Sequence, residues 1–99
     1  MKIKWTHEAL EQLTEIEDFI AKDSPERAAV FVDQLIGHAE DSLPDNPRRG
    51  RTVPEIANPD IREFIFKKYR IVYRLMENNI EILTVFEGHR LLRIDEKGF

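Results

Sequence analysis

The chain opens on alternation. Ile3 and Trp5 fall on one side and Lys2 and Lys4 on the other, which predicts a short strand over Lys2–Thr6. The period then changes. Ala9, Leu10, Leu13, Ile16, Phe19 and Ile20 recur at helical spacing, with Glu11, Glu15, Asp18 and Lys22 on the wet side. Thr6 is placed to cap that helix. Asp23-Ser24-Pro25-Glu26 restarts the pattern, with Ser24 as N-cap, Pro25 in the first turn and Glu26 at the positive end of the dipole. A second stripe follows through Ala28, Phe31, Val32, Leu35, Ile36, Ala39 and Leu43. So short a link predicts an antiparallel helical hairpin.

Leu43 to Pro54, rich in Pro, Asn, Asp and Gly, predicts a loop. Three strand-like runs follow, Ile61–Lys67, Tyr69–Met76 and Ile80–Phe86. Lys67-Lys68 and Glu77-Asn78-Asn79 are the turns between them, and connections this short exclude parallel crossovers. The order β-α-α-β-β-β is α+β, with the helical hairpin packed on one face of a small, mainly antiparallel sheet. Gly37 interrupts the second helix at a cost of about 1 kcal/mol relative to Ala, and close packing there is the expected reason.

Composition narrows the chemistry. A length of 99 residues fits a single domain over 1–99. Without cysteine, disulfide frameworks, zinc–thiolate sites and thiol nucleophiles are excluded. The polar start does not read as a secretory signal, and no apolar run reaches the roughly 20 residues that a membrane helix needs. A cytoplasmic setting with no membrane association is expected. Residues 1–44 carry ten acids against four bases, whereas residues 48–74 carry eight bases against three acids. A net charge of −4 argues against a protein that coats nucleic acid, and leaves room for a local cationic surface.

No phosphate-cradling glycine loop, nucleophile elbow, zinc-helix or calcium-loop motif is present, and neither a metal nor an organic cofactor is expected. His7 and His38 read as surface or boundary residues on the helices. His89 emerges beside Arg90 after the third strand run, and is the one acid–base candidate. Arg70 and Arg74 share a strand face. They can pair with Glu63 and Glu81 on the neighbouring strands, or join Arg62 and Arg90 in a cationic surface for phosphates or acidic side chains. The Arg48-Arg49-Gly50-Arg51 run lies on a loop.

Several segments resemble one family in order. They are Ala9-x3-Leu13-x2-Ile16-x2-Phe19-Ile20-Ala21, Ser24-Pro25-x2-Ala28-x2-Phe31, Gly50-Arg51-x-Val53-Pro54-Glu55, Ile61-Arg62-Glu63-Phe64, Tyr69-Arg70-Ile71-Val72-Tyr73-Arg74 and Ile82-Leu83-x-Val85-x2-Gly88-x-Arg90-x-Leu92. Together they are similar to the RelE/ParE toxin superfamily of bacterial toxin–antitoxin systems. The resemblance implies a β-α-α fold completed by an antiparallel sheet. It also implies a co-expressed antitoxin that wraps the toxin in a hetero-oligomer.

The superfamily divides by activity. RelE-like members cut mRNA on the ribosome, which would place Arg70, His89 and Arg90 in a catalytic constellation. ParE-like members inhibit DNA gyrase by protein contact, which would make Arg62, Arg70, Arg74 and Arg90 contact residues for target or antitoxin. Phe64 and Phe66 stand where nuclease members place lysines, and Leu91–Phe99 has no Tyr or His. These departures favour the ParE-like reading. The RelE-like endoribonuclease, and a decayed member that only binds its antitoxin, are the alternatives.

Overall fold

The structure, a computed structural model, describes residues 1–88. Its elements are β1 (Lys2–Trp5), α1 (His7–Ala21), α2 (Pro25–Ser42), β2 (Arg51–Thr52), β3 (Ile61–Phe66), β4 (Tyr69–Leu75) and β5 (Asn79–Glu87). The five strands form one sheet in the order β1-β5-β4-β3-β2. β1 runs parallel to β5, and the remaining pairs are antiparallel. Both helix starts follow their capping residues, since Thr6 Oγ1 accepts from the Ala9 amide at 3.1 Å and Ser24 Oγ from the Arg27 amide at 3.3 Å.

The helical hairpin covers one sheet face. Ala9, Leu13 and Ile16 of α1 and Leu35 and Ala39 of α2 pack on Ile71, Tyr73, Ile80, Ile82 and Val85. Each large aliphatic side chain so buried contributes about 1.5–3 kcal/mol. A bulge makes Leu83 an extra residue on β5, because the register against β4 shifts between Val72 and Tyr73. The backbone groups it releases are taken up by α1 and its cap. Thr6 Oγ1 donates to Leu83 O at 3.1 Å, and Gln12 Oε1 accepts from the Val85 amide at 2.6 Å and the Thr84 hydroxyl at 2.8 Å.

Two expectations change. The segment after α2 is not all loop, since Arg51–Thr52 pairs with Arg62 and Glu63 as edge strand β2. Gly37 is not there for close packing, because a Cβ at that position would meet nothing within 4 Å. The sheet face away from the helices has a cover of its own, because Val53 and Ile56 fold over it and pack with Ile61, Val72 and Leu83.

Candidate partner-binding groove and buried arginine

Two sites with different chemistry stand on the two faces of the sheet. On the helix side, the end of α1, the first half of α2 and the β3–β4 turn border a groove of about 640 Å³. Phe19, Ile20, Val30, Phe31 and Tyr69 line it with apolar surface, and Arg27, Lys67 and Lys68 add charge. Phe19 and Val30 are 60% and 54% exposed. Here large apolar side chains of both helices stand in solvent side by side.

Aromatic contacts stiffen the groove floor. Phe31 lies 5.5 Å from Tyr69 edge-on and 5.7 Å from Phe66, and His38 lies 5.4 Å from both Phe64 and Phe66. Burial, with Glu87 adding to it, pushes the Tyr69 phenol above its ordinary pKa.

On the other face, Arg70 is almost fully buried beside the fully buried Glu63. Its Nε donates to Glu63 Oε1 at 2.6 Å, and Nη2 lies 2.6 Å from the same oxygen in the ion pair. Nη1 and Nη2 reach the two carboxylate oxygens of Glu55 at 2.9 Å each, as a fork. The guanidinium lies 5.0 Å from the Phe86 ring centroid. Glu55 is the first cause holding the Arg70 pKa above its ordinary value; desolvation opposes it and Glu63 reinforces it. Arg51 Nε donates to the second oxygen of Glu63 at 2.7 Å. The cluster ties β2, the Glu55 loop and β4 together.

The loop before β2 has its own anchor. The buried Tyr73 hydroxyl donates to Pro47 O at 2.8 Å and accepts from the Gly50 amide at 2.9 Å. Burial pushes the Tyr73 pKa up, opposed by the Gly50 amide and by Arg62 and Arg48. Gly50 is required because a Cβ there would come within 2.5 Å of Glu63 O and 2.6 Å of the Tyr73 hydroxyl.

The arginines singled out in the sequence do not share one surface. Arg62 stands on the helix-side face opposite Tyr73, and its Nη1 and Nε reach Gly50 O at 2.8 Å and Pro59 O at 3.1 Å. Arg70 and Arg74 stand on the other face. Arg74 is half-buried between Ile61 and Glu81 in register, with no ion pair to Glu81 among the described residues. His89 and Arg90 lie outside the described residues. His7 forms an exposed pair with Glu11 at 2.7 Å. Among the described residues no three His, Asp or Glu side chains form a metal-binding group, and no helix is long and apolar enough to cross a membrane.

Of the two arrangements the sequence left open for Arg70, the structure shows the pairing with Glu63; Glu55, Val30 and the lysine rim were missed. Two consecutive lysines in a two-residue hairpin turn, where Gly or Asn is usual, were the available signal for that rim.

Sequence comparison identifies the family of small toxins to which this fold belongs. Residues 3–92 match the family described as the ParE toxin of the type II toxin–antitoxin system parDE. The chain belongs to this ParE toxin family, within the RelE/ParE superfamily. It is 38% identical to a protein designated toxin Y4kP of Sinorhizobium fredii, with 90% of each chain covered. It is 33% identical to toxin RelE2 of Caulobacter vibrioides, covering 91% of this chain and 98% of that protein. Its fold is similar to a chain of the chromosomal ParDE system of P. aeruginosa, with TM-score 0.73, 23% identity and coverage of 88% and 95%. It is also similar to a chain of the RelBE2 toxin–antitoxin complex of Mycobacterium tuberculosis, with TM-score 0.64, 19% identity and coverage of 87% and 88%.

Proposed function

We propose that this toxin acts in the cytoplasm by binding DNA gyrase, and that a cognate antitoxin neutralises it in a hetero-oligomer by filling the groove between α2 and the β3–β4 turn. The observation that carries the choice of binding over catalysis is the state of Arg70. A phosphorane-stabilising cation must offer its donors to the reacting phosphate. Arg70 instead commits Nε, Nη1 and Nη2 to Glu55 and Glu63. Phe64 and Phe66 on the neighbouring strand contribute rings to the helix-side packing rather than cations. In this reading Arg62 and Arg70 hold the fold in shape, and Arg74 and Arg90 serve as contacts for the target.

The name RelE2 of one relative favours a second reading, cleavage of mRNA on the ribosome with Arg70, His89 and Arg90 as the reacting set. Purified toxin is incubated with gyrase and plasmid DNA, and in parallel with translating ribosomes. Loss of supercoiling with intact mRNA is the expected result. Codon-positioned mRNA cuts with gyrase unaffected would overturn the proposal. The antitoxin role is tested separately by thermal unfolding with the neighbouring gene product, which should raise Tm through mass action. An unchanged Tm at saturation would remove it.

A further inference from the structure

Lys67 is the only described non-glycine residue with positive φ, at 56°. It sits with Lys68 in the two-residue turn that closes the pair Phe66–Tyr69. A positive φ at the first turn position favours glycine, so a lysine there works against local backbone preference. Such a departure, when it persists, directs attention to what the side chain does. Both lysines are exposed on the groove rim. Their ammonium groups lie 5.9 Å from the Phe66 ring centroid and 5.8 Å from that of Tyr69. Lys22 stands 5.8 Å from the Phe19 ring at the other end, and Arg27 lines the α2 wall. The groove lining thus holds three cations, Arg27, Lys67 and Lys68, against one acid, Glu26, with Lys22 just outside it.

We propose that the Lys67–Lys68 turn is a charge-reading element of the groove, selecting an acidic amphipathic helix as its occupant. This rests on the reading of the groove as the antitoxin site. The helical form follows from what the walls offer. α1 and α2 satisfy their backbones internally, and Tyr69 is paired in the sheet with both Phe66 and Glu87. Lys68 O already accepts from the Gly88 amide at 2.6 Å. An occupant over Tyr69 finds little ladder to join and must satisfy its own backbone, as a helix does. Its apolar face packs on Phe19, Val30 and Phe31, and its flanking carboxylates draw the lysines off the rings.

The test uses the full-length toxin and its cognate antitoxin, with affinity measured as a function of salt. The first variant combines Lys67→Gly with Lys68→Ser. It gives the turn the residues its backbone prefers, so Tm should hold or rise. Antitoxin affinity at low salt should fall about tenfold, and its salt dependence should flatten. Lys67→Glu with Lys68→Glu should weaken binding further, and acid-to-lysine changes on the antitoxin helix should restore it. Unchanged affinity and salt dependence in the first variant would overturn the proposal. So would a loss of affinity accompanied by a lower Tm, since the lysines would then be structural. Val30→Glu tests the groove itself. If it abolishes binding while the lysine variants do not, the groove stands and the charge reading falls. If it leaves binding intact, the antitoxin does not use this groove.

Discussion

The two faces of the sheet are finished by different means. On the second face the chain covers its own core, leaving Ile65 half exposed. Val53 and Ile56 return over Val72 and Leu83, and the buried Arg70 takes two carboxylates from its own chain. On the helix-side face the core is equally tight around Leu35, Ile71 and Tyr73, but apolar side chains stay in solvent at one end, around Phe19 and Val30. A charged cluster that satisfies itself gives a partner little to gain. An apolar groove with a cationic rim gives a partner both area and charge complementarity. That difference is why we propose the partner site at the open apolar end of the helix-side core rather than at the conspicuous arginines.

The largest effect expected concerns the self-completed face. Glu63→Ala removes a carboxylate shared by Arg70 and Arg51 at a fully buried position. Breaking a buried pair costs about 3–5 kcal/mol when the remaining charge is left alone, and the Glu55 fork that Arg70 keeps sets this loss near the lower end, about 3 kcal/mol. Urea denaturation measures it, and a loss below about 1 kcal/mol would mean that the cluster does not hold this face together.

The next effect belongs to the groove and has the opposite profile. Val30→Glu should leave folding stability within about 0.5 kcal/mol, because the side chain is more than half exposed. Antitoxin binding should weaken by about 2 kcal/mol or more, the behaviour of a central apolar anchor. Calorimetric titration beside thermal melting separates the two quantities.

Tyr73→Phe tests the anchor between the two faces. It leaves the Gly50 amide and Pro47 carbonyl without the hydroxyl, and about 1–3 kcal/mol of stability should be lost. The same residue predicts a pH dependence. Its folded-state pKa is raised, chiefly by burial, so the folded protein holds the phenolic proton more tightly than the unfolded chain does. That contribution is fully present below the unfolded tyrosine pKa of about 10 and is lost as pH rises beyond it. Tyr69 is shifted in the same direction. Alkaline unfolding should therefore steepen above about pH 10 in the wild type and less in the Phe variant.

The legible parts of the fold were those that a local period can carry. Thr6 and Ser24 cap the helices expected of them, and alternation from Tyr69 to Met76 gave β4 to within a residue. Cross-strand reasoning also offered Glu63 as a partner for Arg70, one of two readings left open. Features built from distant, unpatterned residues were illegible. Val53 and Ile56 sit in a loop without alternation, so the second core could not be read from period. Glu55 meets Arg70 across 15 residues of chain, and the parallel β1–β5 pairing joins the two ends of the described chain. In the groove, Phe19 was counted with the α1 core stripe, and its exposure shows only when α2 and the β3–β4 turn are both in place.

The smallest predicted effect corrects the sequence reading of Gly37. With open space where a Cβ would stand, Gly37→Ala should stabilise the free toxin by about 1 kcal/mol through helix propensity alone. Thermal melting checks the sign, and a destabilised variant would show that the helix needs glycine there after all.

Amide hydrogen exchange of the toxin, alone and bound to its antitoxin, tests the central contrast between the faces most directly. The account predicts added protection at the end of α1, in the first half of α2 and across Lys67–Tyr69. It predicts none over Arg51–Ile56 or Ile61–Glu63, which the protein has already closed for itself. Added protection concentrated on Arg51–Ile56, with the groove residues exchanging as before, would contradict it.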